Sequence, residues 1–197
     1  CGCDMYEDEK GDESKNREPQ SWSKSRQNTR EAQLVAKHVR ALLDPARGGL
    51  SMTQVGVITP YNGQLRVLQS LLKPDFPALD VKTVDSFQGG EKEAIVLSLV
   101  RSNLHGEVGF LADSRRINVA VTRARRQLCV VGDSDTVSHD PFVSTLVTHI
   151  SENGLHLSAT DFFDDDFAID WAPAGAPRVK QSNGLSTRKQ SQKTRNA

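Results

Sequence analysis

The sequence predicts a three-layer α/β domain built on a mostly parallel sheet. Three observations carry that prediction. Short apolar runs alternate with stretches whose apolar residues recur every three or four positions. The runs are apolar throughout, as strands buried on both faces are. Clusters of Gly, Pro, Asn and Asp punctuate the alternation.

The elements follow in order. Residues 1–27 are polar and charged with almost no periodicity, and read as a flexible loop with Trp22 as its lone anchor candidate. Asn28 or Thr29 caps a helix that has Glu31 in its first turn. Ala32, Val35, Ala36, Val39, Leu42 and Leu43 form its stripe, and Asp44-Pro45 with Gly48-Gly49 end it. Val55–Ile58 is a short buried strand. Thr59-Pro60-Tyr61-Asn62 is the loop after it, with Asn62 capping the next helix. That helix shows Leu65, Leu68, Leu71 and Leu72 on one side and closes at Pro74 and Pro77. Val81–Val84 is a second strand. Ala94–Val100, nearly all apolar, is a third and is placed centrally. A loop with Gly106 and Gly109 leads to an arginine-rich helix, on which Ile117, Val121, Ala124 and Leu128 share an arc. Gln127–Val131 is the fourth strand. Asp140-Pro141 opens a last helix that buries Phe142, Leu146, Val147 and Ile150, and Asn153-Gly154 stops it. The domain thus spans residues 28–157. Residues 158–169 mix Phe with Asp, and 170–197 read as a disordered basic tail. Strand contact, an import signal and a plain linker all remain open for that tail.

Composition bounds the function. The 197 residues suffice for one domain with a real core. Lys plus Arg number 25 and Asp plus Glu number 25, a formal net charge of +0. No global basic field exists, so any nucleic-acid contact has to come from a local patch. Cys1, Cys3 and Cys129 make no even disulfide framework, which points to a reducing intracellular compartment. Cys1-Gly2-Cys3 has no second Cys/His pair to complete a zinc site, and no metal site is expected in this chain. No apolar run approaches the ~20 residues of a membrane span. The chain begins without Met, so a fragment or a processed product is expected.

In parallel sheets, ligands sit beyond the C-terminal strand ends. The Thr59 loop, the Asp85–Glu91 loop and the loop at Asp133 are therefore expected to converge on one edge. In Gln88-Gly89-Gly90-Glu91 the glycines permit positive φ and close backbone approach to a ligand. The carboxylate suits a ribose hydroxyl or a water near Mg²⁺, or simply caps a tight turn. Arg116 and Arg123 are seven residues apart and share a helical face, with Arg125 roughly opposite Arg123. Guanidinium matches phosphate geometry and stabilises charge in phosphoryl transfer. A solvated basic face is the plain alternative for this helix taken alone.

Taken together, three stretches carry a resemblance. Val57-Ile58-Thr59-Pro60-Tyr61-Asn62, then Thr83-Val84-Asp85-Ser86-Phe87-Gln88-Gly89-Gly90-Glu91-Lys92-Glu93, then Arg115-Arg116-Ile117-Asn118-Val119-Ala120-Val121-Thr122-Arg123-Ala124-Arg125 closely resemble motifs IV, V and VI of superfamily 1 helicases. The branch is that of the nonsense-mediated decay helicase, senataxin and the immunoglobulin mu-binding helicase, with the last the most similar in tone. The resemblance covers about Asn28 to Val137. It implies a second RecA-like domain, of the P-loop NTPase type, in an ATP-driven translocase. It also implies that Glu91 and Gly89 meet the nucleotide, ATP with Mg²⁺, and that Arg123 acts as arginine finger on the γ-phosphate. Thr59, Pro60, Tyr61, Thr83, Val84 and Asp85 would hold a single strand of RNA or DNA. Gln88, Arg116 and Arg125 would couple the two sites.

Two departures stand out. Gly90 sits where the family usually has Arg. No G-x-x-x-x-G-K-[ST] loop and no strand-end Asp-Glu pair occurs anywhere in the chain. The resemblance places both in an upstream first RecA-like domain, with the metal ligands, so this chain alone is expected to be inactive. The expectation is an intracellular helicase half, in nucleus or cytoplasm, without membrane contact. The alternative is a truncated, non-catalytic module that binds single strands.

Overall fold

The computed structural model describes residues 26–47 and 49–159. Cys1, Cys3, Trp22 and the segment 170–197 lie outside the described residues, as do most of 1–27 and of 158–169. Helix α1 (Thr29–Leu43) is followed by strand β1 (Val55–Thr59), helix α2 (Asn62–Leu72), strand β2 (Asp80–Thr83) and strand β3 (Lys92–Ser98). Helix α3 (Ser114–Val121), strand β4 (Ala124–Val131), the short helix α4 (Ser134–Val137) and helix α5 (Pro141–Asn153) complete the order. Single 3₁₀ turns cover Pro45–Arg47, Asp85–Phe87 and Gly109–Ala112. The four strands form one sheet in the order β2-β1-β3-β4, and every pair is parallel. The expected α/β class holds, and the run expected to be central lies between β1 and β4.

Helices α1 and α2 cover one face. Asn28 caps α1 by accepting a hydrogen bond from Glu31 N at 3.0 Å, as the Asn-x-x-Glu spacing predicts. The whole α1 stripe is buried, against Val55, Val57, Leu68, Leu72, Ala94 and Val96. Asn62 does not cap α2: Tyr61 holds the cap position, without a side-chain cap bond, and Asn62 is the first helical residue. On the opposite face, Phe87, Leu111, Ile117, Ala120 and Val143 pack against Ile58, Ile95 and Leu97. The two faces alternate along β1 and β3, which is why Val55–Ile58 and Ala94–Leu97 carry no polar side chain.

Three expectations need correction. The arginine helix stops at Val121, and Ala124 to Val131 is all strand. Thr122 closes the helix by donating its hydroxyl to Asn118 O at 2.9 Å. Arg123 and Arg125 are therefore not on opposite faces of one helix, and Arg116 and Arg123 do not share a face. Secondly, β3 ends at Ser98 rather than Val100, because Val100 takes a left-handed conformation with φ of 74°. Thirdly, the last helix buries Val143 instead of Phe142, which is 38% exposed. Leu146 and Val147 pack half-buried against the same core, while Ile150 is half-buried without joining it. The helix still begins as expected, with Pro141 in its first turn and Asp140 Oδ1 accepting from Phe142 N and Val143 N.

Candidate functional site

The sheet order divides the expected site in two. β2 flanks β1 on one side and β3 on the other, and all three strands are parallel. The segment 84–91 must therefore cross from the C-terminal rim of the sheet to its N-terminal rim. It crosses the β1 face at Gly56, where an added Cβ would lie 2.7 Å from Phe87 Cζ and 2.9 Å from Ile95 Cδ1. Glycine in the middle of a strand marks such an approach. Of the two glycines in the following turn only Gly89 has positive φ, at 80°. The expected convergence on one edge therefore holds for the Thr59 loop, for Asp85 and for the loop at Asp133, which follow the C-terminal ends of β1, β2 and β4, and fails for Glu91. Thr59, Thr83 and Asp85 stand at the C-terminal rim. Glu91, Arg123 and Arg125 stand at the N-terminal rim, where Lys92 pairs with Ala124.

At the C-terminal rim, most of the expected strand-holding side chains are buried. Thr59, Pro60, Tyr61 and Val84 lie inside, leaving Thr83 half-buried and Asp85 exposed. Tyr61 Oη accepts from Phe110 N at 3.2 Å, and the two rings meet with centroids 5.9 Å apart. Thr83 Oγ1 donates to Ser86 Oγ at 2.9 Å and accepts from Ser86 N, which fixes the turn that carries Asp85. Arg116, at the start of α3, reaches Asp85 Oδ1 at 3.5 Å and Asp113 Oδ2 at 3.6 Å. The contacts left to a ligand here are backbone groups and the few outward side chains.

Behind this rim is a buried polar network that sequence reasoning missed. Glu31 is completely buried. Its Oε1 accepts from Ser98 Oγ at 2.5 Å, and both its oxygens accept from Val100 N, at 2.9 and 3.1 Å. Gln64 Nε2 donates to Ser98 Oγ at 3.0 Å and to Asn28 O at 3.2 Å, while Gln64 Oε1 accepts from Asn28 N at 2.8 Å. Burial pushes the Glu31 carboxyl up to about 7, against the opposing pull of Ser98 and Val100. The network holds Val100 in a backbone conformation costly for a β-branched residue. Past that bend, Arg101 Nε donates to Glu107 O at 2.7 Å, which ties down the loop leading to Phe110. Gln64, polar beside an apolar stripe, was the one available signal in the sequence.

The N-terminal rim is built from exposed charges. Between β3 and β4 the register shifts, from Lys92 opposite Ala124 to Ala94 opposite Gln127. This bulge brings two consecutive arginines to the carboxylates of Glu91, just before β3, and of Glu93 within it. Arg125 Nε meets Glu91 Oε2 at 3.1 Å and its Nη1 meets Glu93 Oε1 at 3.7 Å, while Arg126 Nε meets Glu93 Oε2 at 3.0 Å. Arg123 is half-buried and folded back: its Nε donates to Val119 O at 3.0 Å and its Nη2 to Thr122 Oγ1 at 3.1 Å. Its backbone carbonyl accepts from Lys92 N at 3.0 Å, beside Glu91. At the start of β2, Asp80 accepts from Lys92 and Lys82, which hold its carboxyl below the usual range.

The sequence also matches known proteins. The sequence model of the AAA domain family matches residues 3–135. The chain is 45% identical over 165 residues to "DNA-binding protein SMUBP-2" of Rattus norvegicus, covering 84% of this chain and 15% of that protein. It is 45% identical over 141 residues to "DNA polymerase alpha-associated DNA helicase A" of Schizosaccharomyces pombe, covering 70% of this chain and 21% of the relative. It is 43% identical over 133 residues to "Regulator of nonsense transcripts 1 homolog" of Arabidopsis thaliana, covering 64% of this chain and 10% of the relative. The chain therefore spans 10 to 21% of the length of these relatives.

Proposed function

This chain belongs to the superfamily 1 helicases, on the branch that includes SMUBP-2, and from that premise we propose that it is the second RecA-like half of an ATP-driven translocase on single-stranded RNA or DNA. The first RecA-like domain, upstream in the same protein, supplies the P-loop and the Mg²⁺ ligands. The protein works inside the cell, in nucleus or cytoplasm. Among the described residues no helix is long and apolar enough to cross a membrane.

The observation that supports this reading best is the grouping of Glu91, Arg123 and Arg125 on one rim, within hydrogen-bonding distance of each other's chain segments. One carboxylate beside guanidiniums suits the ribose and the γ-phosphate of a nucleotide. It does not suit a metal, since Glu91 and Glu93 already face arginines. When bound, ATP supplies a phosphoryl group for transfer to water. This chain's part is to place charge against it. Arg123 leaves Val119 O and Thr122 Oγ1 and turns outward, giving up hydrogen bonds worth about 1 kcal/mol each. Glu91, steadied through Oε2 by Arg125, keeps Oε1 as an acceptor for a ribose hydroxyl. Gly89, with its positive φ and open space around it, lets backbone approach the same ligand.

Coupling to the strand runs along two routes that join the rims. One is the crossover through Phe87, Gln88 and Gly89. The other is α3, with Arg116 at one end and Arg123 just past the other. The strand itself is held by the backbone at Thr59-Pro60-Tyr61 and at Thr83-Val84-Asp85, which suits binding without sequence preference. The test is Arg123→Ala in the protein that joins this chain to a first RecA-like domain. Strand-stimulated ATP turnover should fall by ~10³-fold, as it does on loss of an arginine finger. Turnover above about a tenth of the parent's would contradict the assignment.

A further inference from the structure

On the C-terminal rim, Arg116 is placed in a way that phosphate binding does not explain. Its guanidinium carbon lies 4.3 Å from the centroid of the Phe110 ring. Its Nε lies between Asp85 Oδ1 and Asp113 Oδ2, at 3.5 and 3.6 Å. Asp113 also meets Arg115 Nε at 3.8 Å, so two carboxylates balance two guanidiniums and leave the site little net attraction for a phosphate. What Arg116 still offers is flat surface, since its side chain is 42% exposed. Its position is also fixed. Phe110 is braced by the buried Tyr61, through the ring contact and the bond from Phe110 N to Tyr61 Oη. Asp113, which caps α3 by accepting from Arg115 N, holds the guanidinium from below.

We propose that the outer face of Arg116, backed by Phe110, is a stacking seat for one nucleobase of the bound single strand. The proposal rests on the reading of this rim as the strand grip and names the contact that grip makes to a base. Bases stack on aromatic rings and on guanidinium planes without regard to sequence. A plane held in advance by a ring and two carboxylates loses little freedom on binding. The seat adjoins Asp85, so a backbone held at Thr83-Val84-Asp85 brings a base within reach of it.

The test measures binding of the 197-residue chain to a short oligodeoxyadenylate and to an abasic strand of equal length, over a range of salt concentrations. Arg116→Lys keeps the charge and removes the plane. Phe110→Leu keeps apolar bulk and removes the ring. Each should weaken oligodeoxyadenylate binding by about tenfold, leave abasic binding within about twofold, and leave the salt dependence unchanged. Equal losses on both strands would make the pair a structural brace and overturn the seat. A shallower salt dependence in Arg116→Lys would make Arg116 a phosphate contact and overturn it too, as would unchanged binding in both variants. If Phe110→Leu fails to fold, Arg116→Lys alone decides. If the parent chain binds neither strand in a salt-sensitive way, the strand-grip reading itself falls. If the parent binds both strands and the variants match it, only the seat falls.

Discussion

The two rims of the sheet are made differently. At the C-terminal rim the motif side chains of Thr59, Pro60, Tyr61 and Val84 are buried, and a sealed network of Glu31, Gln64 and Ser98 stands behind them. At the N-terminal rim Glu91, Arg125 and Arg126 are exposed, and Arg123 is held by two hydrogen bonds to the end of a helix. The groups of that network are buried and hydrogen-bonded and therefore stiff, because every displacement leaves a polar atom without a partner. Exposed ion pairs exchange at little cost. The stiff rim suits a grip of fixed shape. The loose rim suits residues that rearrange when a second domain closes on them.

This contrast can be broken or sharpened by substitution. The largest expected effect is the ~10³-fold fall in ATP turnover for Arg123→Ala. Next comes Glu31→Ala. It leaves Val100 N without its acceptor and Ser98 with one partner fewer, both in the interior. A loss of about 3 kcal/mol in a denaturant titration is expected, against about 1 kcal/mol for Glu31→Gln. A loss below 0.5 kcal/mol for Glu31→Ala, which is roughly the size of a surface substitution, would show that the network is not the brace of this rim.

The same carboxyl gives a signed pH dependence. Its folded value of about 7 lies above its ordinary 4.5, so the folded state holds the proton more tightly. Its contribution is fully present below pH 4.5 and is lost as pH rises to about 7. Buried His38 has the opposite sign. Burial lowers it from 6.5 to about 4, so its contribution is present above pH 6.5 and is lost as pH falls towards 4. The two slopes oppose each other where the windows overlap. Glu31→Gln removes one of them, and stability should then fall more steeply on acidification below pH 6.5 than in the parent. Parallel profiles for parent and variant would contradict the assignment of the slope to Glu31.

Gly56→Ala tests the link between the rims. Its Cβ would overlap Phe87 and Ile95, and overpacking of this kind costs about 1–3 kcal/mol. Strand affinity and turnover should fall together, because the crossover is shared by both sites. A change in only one would show that the crossover serves only that site. The smallest effect belongs to Arg126→Ala. Its side chain is 84% exposed, and exposed pairs contribute less than about 1 kcal/mol. A loss of more than about 2 kcal/mol would mean that the N-terminal rim is also rigid.

Much of the fold was legible because it is written locally. The α1 stripe, its Asn28 cap and the unbroken apolar run of β3 need no information beyond their own residues. Two things were not legible, and for different reasons. The α3–β4 boundary was hidden because Ile117, Val121, Ala124 and Leu128 satisfy a helical period, although the chain leaves the helix at Thr122. The division into two rims was hidden because it depends on strand order, which no motif encodes. Glu31 was readable as a first-turn acid that favours the helix dipole. Its true partner, Val100, lies 69 positions away, and nothing in the local pattern announces a buried carboxylate.

The most direct test of this division of labour is the strand affinity of the Arg123→Ala protein, measured without nucleotide beside its ATP turnover. The account predicts affinity within about twofold of the parent while turnover falls ~10³-fold. A fall in strand affinity comparable to the fall in turnover would contradict it, because Arg123 would then belong to the grip and the rims would not be separate sites.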